Sequence, residues 1–404
     1  MKRYFKGDVI CTVLIVAILC LLLYMQNDLM ARWKLQTLPQ ELAKMRNLLV
    51  AQTSSYRAQV QKPAFTSKPL CKPDTMEPVN VQPSGTPSFN FHHYLRNIHC
   101  RDFSLLLNQP TKCNPAPFLL IAVKSLANEF EKREVVRKTW GATGLLKGVQ
   151  ITTIFLLGVP RNQSVLPGWK QLLQYESDAY RDVLLWNFQD TFFNLTLKEI
   201  HFLKWVHTFC PGVQFIFKGD ADVYVNIDNI LELLKEQKAN QDLFIGDIIY
   251  QAQPIRSKKS KYFIPEIVYG QGIYPNYAGG GGFLMSGFTA ERLYAACQQV
   301  DLFPIDDVYL GMCLMRIGLK PTAHEGFRTF GIVRPSAAPH LQVYDPCFYK
   351  ELMVVHSLTV PEIWLMWNML HDPKIVCNKR VLVKKPFRWT ERKQSLGGKA
   401  GHLN

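Results

Sequence analysis

No two of the chain's ten cysteines stand as a CxxC pair, so neither a cysteine zinc site nor a thioredoxin-type redox motif has the spacing it needs. No GxGxxG follows a strand-like run and no glycine-rich loop ends in GKS or GKT, which removes the dinucleotide fingerprint and the P-loop. There is no internal repeat and no nucleic-acid module, so the formal net charge of +15 over 404 residues does not point to DNA or RNA. Much of that surplus lies where no core is expected: Lys2, Arg3 and Lys6 at one end, and a basic C-terminal tail over residues 379–404. The remaining length is enough for one or two domains with a sizeable core.

What is present begins with an unbroken apolar run, VICTVLIVAILCLLLYM, at residues 9–25. As a helix it would span about 25 Å, enough for a thin bilayer. The preceding basic residues place residues 1–8 as a cytoplasmic tail and everything after the run in the lumen. Residues 26–30, QNDLM, offer no small-x-small cleavage site, so an uncleaved transmembrane signal anchor is expected. Residues 26–95 read as a luminal stem. The stretch from Gln61 to Ser88 is rich in Pro, Ser, Thr and Lys, as an extended linker would be. Before it, Leu35, Leu38, Leu42, Met45 and Leu49 form a short heptad seam, read either as a juxtamembrane helix or as a site of homo- or hetero-oligomerisation through the stem. Eight cysteines follow the anchor, an even set that suits disulfides in an oxidising compartment, with their pairing open. Sequons at Asn162 and Asn194 mark candidate glycosylation sites.

Residues 96–378 read as one α/β domain. Apolar runs at 118–123, 151–157, 183–186 and 213–217 suit buried strands, and 129–140, 171–180 and 196–209 suit helices. His201 and His207 on the last of these helices read as surface residues. This alternation implies a mostly parallel central sheet covered by helices, with ligands bound at strand carboxyl ends. One such end is Lys218-Gly-Asp-Ala-Asp222. Strand periodicity puts Asp220 and Asp222 on one face, an arrangement that is costly unless a cation or hydrogen-bond donors pair them. Hard oxygen ligands of this kind suit Mg or Mn holding a diphosphate; a solvated turn is the plainer account of an isolated Asp-x-Asp.

Three later features bear on the same question. Gly279 to Gly282 follow Tyr277 and allow a backbone to turn sharply or approach a ligand closely. Asp306 and Asp307 follow Pro304, where acidic residues favour a helix start; adjacent carboxylates also repel, and one of them can become a general base. His356 ends another apolar run. A lone histidine is usually structural, and becomes a metal ligand if the fold brings it to Asp222.

In this order the motifs resemble the β-1,3-glycosyltransferase family of animal Golgi enzymes, glycosyltransferase family 31, from about Phe118 to Cys377. The matching stretches are Val123-Lys-Ser125, Arg133-Glu-Val-Val-Arg-Lys-Thr-Trp-Gly141, Asp190-Thr-Phe-Phe-Asn-Leu-Thr-Leu-Lys198, Lys218 to Asn226, the tetraglycine, Ile305-Asp-Asp-Val308, Glu325-Gly-Phe-Arg-Thr-Phe330 and Val355-His356. Tyr274-Pro-Asn-Tyr-Ala-Gly-Gly-Gly-Gly-Phe283 resembles the N-acetylglucosaminyl branch rather than the galactosyl one. The resemblance implies a GT-A-type, Rossmann-like nucleotide-sugar-binding domain, a UDP-GlcNAc donor, Mn2+, and inverting β-1,3 transfer to a terminal galactose of N-acetyllactosamine or mucin-type glycans. It implies a single-pass type II protein of the Golgi membrane.

By that resemblance Asp222 and His356 are the metal ligands and Asp307 is the catalytic base. Lys124, Arg137 and Asp220 hold the uridine diphosphate, Tyr277, Gly280 and Gly281 shape the sugar sites, and Asp306 is a cap or acceptor contact. Two positions depart from the family pattern: Ala221 replaces the middle carboxylate of Asp-Asp-Asp, and Asn276 replaces the second proline of Tyr-Pro-Pro-Tyr. The alternatives are a β-1,3-galactosyl- or N-acetylgalactosaminyltransferase of the same fold, and a non-catalytic Golgi homologue.

Overall fold

The computed structural model describes residue 71 and residues 79–81, 87–161, 168–329 and 346–377, all within the compact unit Leu70–Asn404. The expected cytoplasmic tail, anchor, heptad seam, Asn162 sequon and basic tail lie outside the described residues. Among the described residues no helix is long and apolar enough to cross a membrane.

Strands β1 (Val79–Val81) and β2 (Pro87–Phe89) pair, and helix α1 (Phe91–Arg96) follows. Phe91 and Tyr94 are buried in the core, and a Cys71–Cys100 disulfide holds this segment. The boundary expected at residue 95 therefore cuts through a helix of the folded unit, and the segment read as the end of the stem is part of it.

After β3 (Leu105–Leu107), three strand–helix units set the frame: β4 (Leu119–Lys124) and α2 (Phe130–Lys138); the hairpin β5 (Gly144–Leu146) and β6 (Val149–Val159) with α3 (Trp169–Tyr180); and β7 (Val183–Gln189) with α4 (Leu195–Phe209). The chain then returns as β8 (Phe215–Asp220) on the far side of β4. β4 is buried at every position because neighbours flank it on both edges and helices cover both faces. Its side chains alternate: Leu120 and Ala122 enter one core with Leu197, Ile200 and Leu203 of α4, while Leu119, Ile121 and Val123 enter the other with Val135 and Val136 of α2. The two-residue period of the strand thus divides one apolar run between two cores.

Beyond β9 (Val223–Val225), α5 (Ile227–Lys235) and β10 (Phe244–Ile249), the tetraglycine lies inside a ten-residue strand, β11 (Tyr277–Ser286). That strand pairs antiparallel with both β8 and β10. The nine-stranded sheet is therefore mixed rather than mostly parallel: β4–β6, β4–β8, β6–β7 and β10–β12 are parallel, while β3–β7, β5–β6, β8–β11 and β10–β11 are antiparallel. The length of chain between β10 and β11 allows this reversal, and it carries no periodicity to announce it.

Helices α6 (Gly287–Cys297) and α7 (Asp306–Arg316) follow, then β12 (Thr322–Ala323), β13 (Phe327–Arg328), α8 (Pro346–Tyr349), β14 (Val354–His356) and α9 (Val360–His371). β13, β14 and β9 form a separate three-stranded sheet. Six of the eight non-anchor cysteines pair, as Cys71–Cys100, Cys113–Cys210 and Cys347–Cys377. Cys297 and Cys313 are buried thiols with their sulfurs 3.2 Å apart. His201 is not at the surface: it is 3% exposed, stacked against Trp186 and Phe188, and burial lowers its pKa to about 3. His207 is exposed and contacts Glu291, as a surface residue would.

Candidate active site

The strand order places the site. The chain goes from β4 outward to β6 and β7, then crosses back to β8, so the carboxyl ends of β4 and β8 lie side by side at the point where winding direction changes. Crevices of open α/β sheets open there. Register pairs Lys124 with Asp220, the last residues of the two strands. Lys124 Nζ lies 3.0 Å from Asp220 Oδ1 and 3.1 Å from Asp306 Oδ2. A cavity of about 750 Å³ opens over these groups, lined among others by Asp220, Asp222, Tyr277, the glycines 279–281, Asp306, Asp307 and His356.

Asp220 ends β8, but Asp222 lies in the turn leading to β9 of the small sheet. Register in that sheet pairs His356 with Val223, the residue after Asp222. This brings His356 Nε2 to 3.2 Å from Asp222 Oδ1 and 3.6 Å from Asp220 Oδ2. Nδ1–H of His356 donates to the Thr329 carbonyl at 2.8 Å, which fixes the ring and leaves Nε2 facing the carboxylates. Burial opposes protonation of His356, but the hydrogen bond and charge of Asp222, with Asp220, raise its pKa. The ligand atoms of Asp220, Asp222 and His356 all lie within 4.8 Å of one another, and two carboxylates with one imidazole can hold a divalent ion. Ala221 is 3% exposed and packs in the core, so this trio is assembled without a carboxylate at that position.

Helix α7 begins at Asp306, with Asp307 beside it in the first turn. The pair is split by environment. Burial opposes ionisation of Asp306, but the charges of Lys124 and Lys218 lower its pKa. Burial, then the charge of Asp306, raise Asp307 well above the usual carboxylate range. The ionised form of a carboxyl with a raised pKa is a stronger base, suited to take a proton from a hydroxyl at the cavity. Beneath the pair, Lys218 of β8 is ion-paired with Glu199 of α4, both buried. Burial pushes the Lys218 pKa down and that of Glu199 up.

The tetraglycine is a close-approach surface. A Cβ on Gly280 would stand 2.7 Å from Asp307 Oδ1, and one on Gly281 would stand 3.0 Å from the His356 ring. Only a residue without a side chain lets β11 run this close to Asp307 and His356.

Of the site residues expected from sequence, Lys124, Asp220, Asp222, Tyr277, Gly280, Gly281, Asp306, Asp307 and His356 converge on the cavity. Arg137 does not. Its Nε and Nη2 donate to Asp182, and Nη2 also to Glu176, while the guanidinium lies over the rings of Phe155 and Tyr180. With these donors spent between α2, α3 and β7, Arg137 holds the fold rather than a diphosphate. Asn194 is likewise corrected as a glycosylation site. It is 1% exposed, its Nδ2 donates to the Gln189 carbonyl, and Thr196 Oγ1 donates to the Phe303 carbonyl. The folded chain presents neither sequon residue to a glycan.

The sequence reading missed Lys132, Lys198, Phe192 and Tyr262, all of which line the cavity. Lys132 had a findable signal: it lies in the first turn of the helix that follows β4, where strand-end sites gather their contacts.

A galactosyltransferase family model matches residues 131–325. A human protein described as "UDP-GlcNAc:betaGal beta-1,3-N-acetylglucosaminyltransferase 9" is 50% identical over 402 residues, 95% of this chain and 98% of its own length. A bovine protein of the same description is 54% identical over 338 residues, 80% of this chain and 83% of its own length. A mouse "N-acetyllactosaminide beta-1,3-N-acetylglucosaminyltransferase 2" is 45% identical over 309 residues, 76% of each chain. The solved structure of the galactosyltransferase LgtC aligns at a TM-score of 0.32 and 11% identity, over 62% of this chain and 95% of that one. Identities of 45% to 54% over at least three quarters of the chain, together with the family match, place this chain in the galactosyltransferase family, among its β-1,3-N-acetylglucosaminyltransferases.

Proposed function

We propose that the protein transfers GlcNAc from UDP-GlcNAc, with inversion, to the 3-hydroxyl of a terminal galactose on N-acetyllactosamine or mucin-type glycans. The observation that carries this reading is the placement of Asp307, a carboxyl with a raised pKa, in the same cavity as the Asp220–Asp222–His356 trio. A β product from the α-linked donor requires the hydroxyl to attack opposite the departing UDP. Asp307 would accept the proton of that hydroxyl, a contribution worth about 10²- to 10⁴-fold. Asp306, held by Lys124, fixes the start of α7 and so orients Asp307. Lys132 stands where it feels both Asp220 and Asp222, on the side of the diphosphate.

The domain is read as GT-A-type, with the donor at the β4–β8 switch point. Asp222 and His356, with Asp220 beside them, would hold Mn2+, which when bound supplies positive charge against the diphosphate. The three disulfides suit an oxidising lumen. With the apolar run at residues 9–25, they support a Golgi membrane protein of type II orientation, with residues 1–8 cytoplasmic and the catalytic domain luminal.

The test is transfer by the full chain from UDP-GlcNAc, UDP-Gal and UDP-GalNAc, with Mn2+ and a galactose-terminated acceptor, and linkage analysis of the product. Transfer of GlcNAc in β-1,3 linkage that is lost in Asp307→Asn supports the reading. Transfer from another donor alone, or full turnover by Asp307→Asn, overturns it.

A further inference from the structure

Six of the eight cysteines beyond the apolar run are paired in disulfides. The other two, Cys297 and Cys313, are 1% and 0% exposed, with their sulfurs 3.2 Å apart. Neither lines the cavity. Among the described residues the group of side chains that could hold a metal is Asp220, Asp222 and His356, and two thiolates without further ligands do not make a zinc site. The pair has no metal to hold and no substrate to meet.

The two sulfurs meet because both backbones are pinned. Cys297 is the last residue of α6. Its carbonyl accepts from Arg101 Nη1 at 2.7 Å, and Arg101 Nη2 donates to the Val300 carbonyl at 2.8 Å, which fixes the end of the helix and the residues just after it. The same Cys297 carbonyl accepts from Tyr309 Oη at 2.9 Å. Tyr309 and Cys313 are four residues apart on α7 and so share one face of it. The face that Tyr309 turns to Cys297 is the face that carries Cys313. An S–S bond is about 2.05 Å long, so bonding the pair asks for a displacement of about 1 Å, shared between two side chains.

Once the helices have closed, the pair is inert. The hydrogen bond to Cys313, then burial, push the Cys297 thiol well above its usual range, and the thiolate is the form that attacks a disulfide. The bond therefore forms while α6 and α7 are still open during folding. One cysteine thiolate displaces a sulfur from the oxidant, a protein or small-molecule disulfide of an oxidising compartment. The second thiolate then displaces the oxidant's remaining sulfur from the mixed disulfide. Two electrons and two protons pass from the cysteines to the oxidant, whose disulfide becomes two thiols.

We propose that Cys297 and Cys313 are joined in the mature protein as a fourth disulfide, which fastens the helix carrying Asp307 to α6. The bond closes the segment 298–312, and Asp306 and Asp307 lie within it. Cys313 stands about two turns along α7 from Asp306, so the link anchors the far part of the helix whose first turn faces the cavity. The bond itself is independent of the transferase reading; its effect on Asp307 rests on that reading.

The test expresses the full chain in animal cells, lyses them in denaturant with iodoacetamide to block every free thiol, and maps the cysteines by mass spectrometry after digestion without reductant. A linked pair of peptides containing Cys297 and Cys313 is expected, with the alkyl label absent from both. Label on both residues, or a link from either to another cysteine, overturns the bond. This map of the unaltered chain decides the matter even where a variant does not fold. Cys297→Ala, Cys313→Ala and the double variant should lower the melting temperature by similar amounts, because each removes the same bond. They should lower kcat by about ten- to a hundredfold, the cost of a small misplacement of a reacting group, while UDP affinity stays in place. Parental kcat in the double variant overturns the link to Asp307. Absence of transfer by the unaltered chain from any UDP-sugar overturns the transferase reading and leaves the mapped bond standing.

Discussion

Lys124 Nζ and Asp306 Oδ2 lie 3.1 Å apart, both side chains nearly buried, and this contact ties the central strand of the sheet to the helix that carries Asp307. Removing one partner of a buried pair leaves the other charge without compensation, at a cost of about 3–5 kcal/mol. Lys124→Met should therefore lower the melting temperature and abolish transfer. In the double variant Lys124→Met/Asp306→Asn much of the stability should return, because the buried Asp306 charge is no longer stranded and Asp220, 29% exposed, keeps water and His356 beside it. Additive losses in a denaturant titration of the single and double variants would show that the two side chains act independently.

The pH dependence of turnover should carry the mark of Asp307. A base must be ionised to accept a proton, so the rate falls as pH drops through its pKa. Since burial and then Asp306 raise that pKa, the acid limb of kcat/KM should lie well above ordinary carboxylate values. Asp306→Asn removes the neighbouring negative charge and leaves Lys124 positive beside the base. Both changes favour the ionised form, so the limb should move to lower pH. A limb that stays in place in this variant assigns it to another group.

Removal of divalent ions should weaken UDP binding, and the trio should account for the loss. Isothermal titration of UDP with and without Mn2+ should show a Mn2+-dependent gain that falls by at least about tenfold in Asp222→Asn and in His356→Ala, in the way loss of groups at a metal site does. A gain of equal size in both variants would place the ion elsewhere.

His201 makes the fold sensitive to acid. Its folded pKa of about 3 lies below the ordinary value of 6.5, so the unfolded chain binds the proton more tightly. Stability is full above pH 6.5 and is lost as pH falls from there towards 3, by up to about 1.4 kcal/mol per pH unit from this group. Nε2 of His201 is buried without a hydrogen-bond partner, so a phenylalanine can replace the ring without stranding one. The pH slope of urea midpoints between pH 6.5 and 4 should be shallower in His201→Phe than in the parent; identical slopes refute the assignment.

The parts of this structure that were legible in the sequence are those with dense local patterns. β4 and β8 show as unbroken apolar runs because they are buried on both faces, and Asp220, Asp222 and Asp307 show as carboxylates at element ends. The illegible parts depend on partners distant in the chain. Arg133 and Arg137 sit one helical turn apart and both reach Glu176 of α3, a direction that spacing within α2 does not reveal. The three-stranded sheet that delivers His356 is made of strands of two and three residues, too short for any periodicity. The tetraglycine has no pattern of its own, and it is a strand because β8 and β10 bind it on both edges.

That stretch of β11 has a further consequence. A methyl group on Gly279 would strike Thr329, on Gly280 the Asp307 carboxylate, on Gly281 the ring of His356, and on Gly282 the ring of Phe217. Four consecutive alanine replacements would therefore fail for four different reasons: a displaced loop, a crowded Asp307, a turned His356 and a pried-open core. The strand reads like a row of test points in a circuit, in which the nearest neighbour changes from one position to the next.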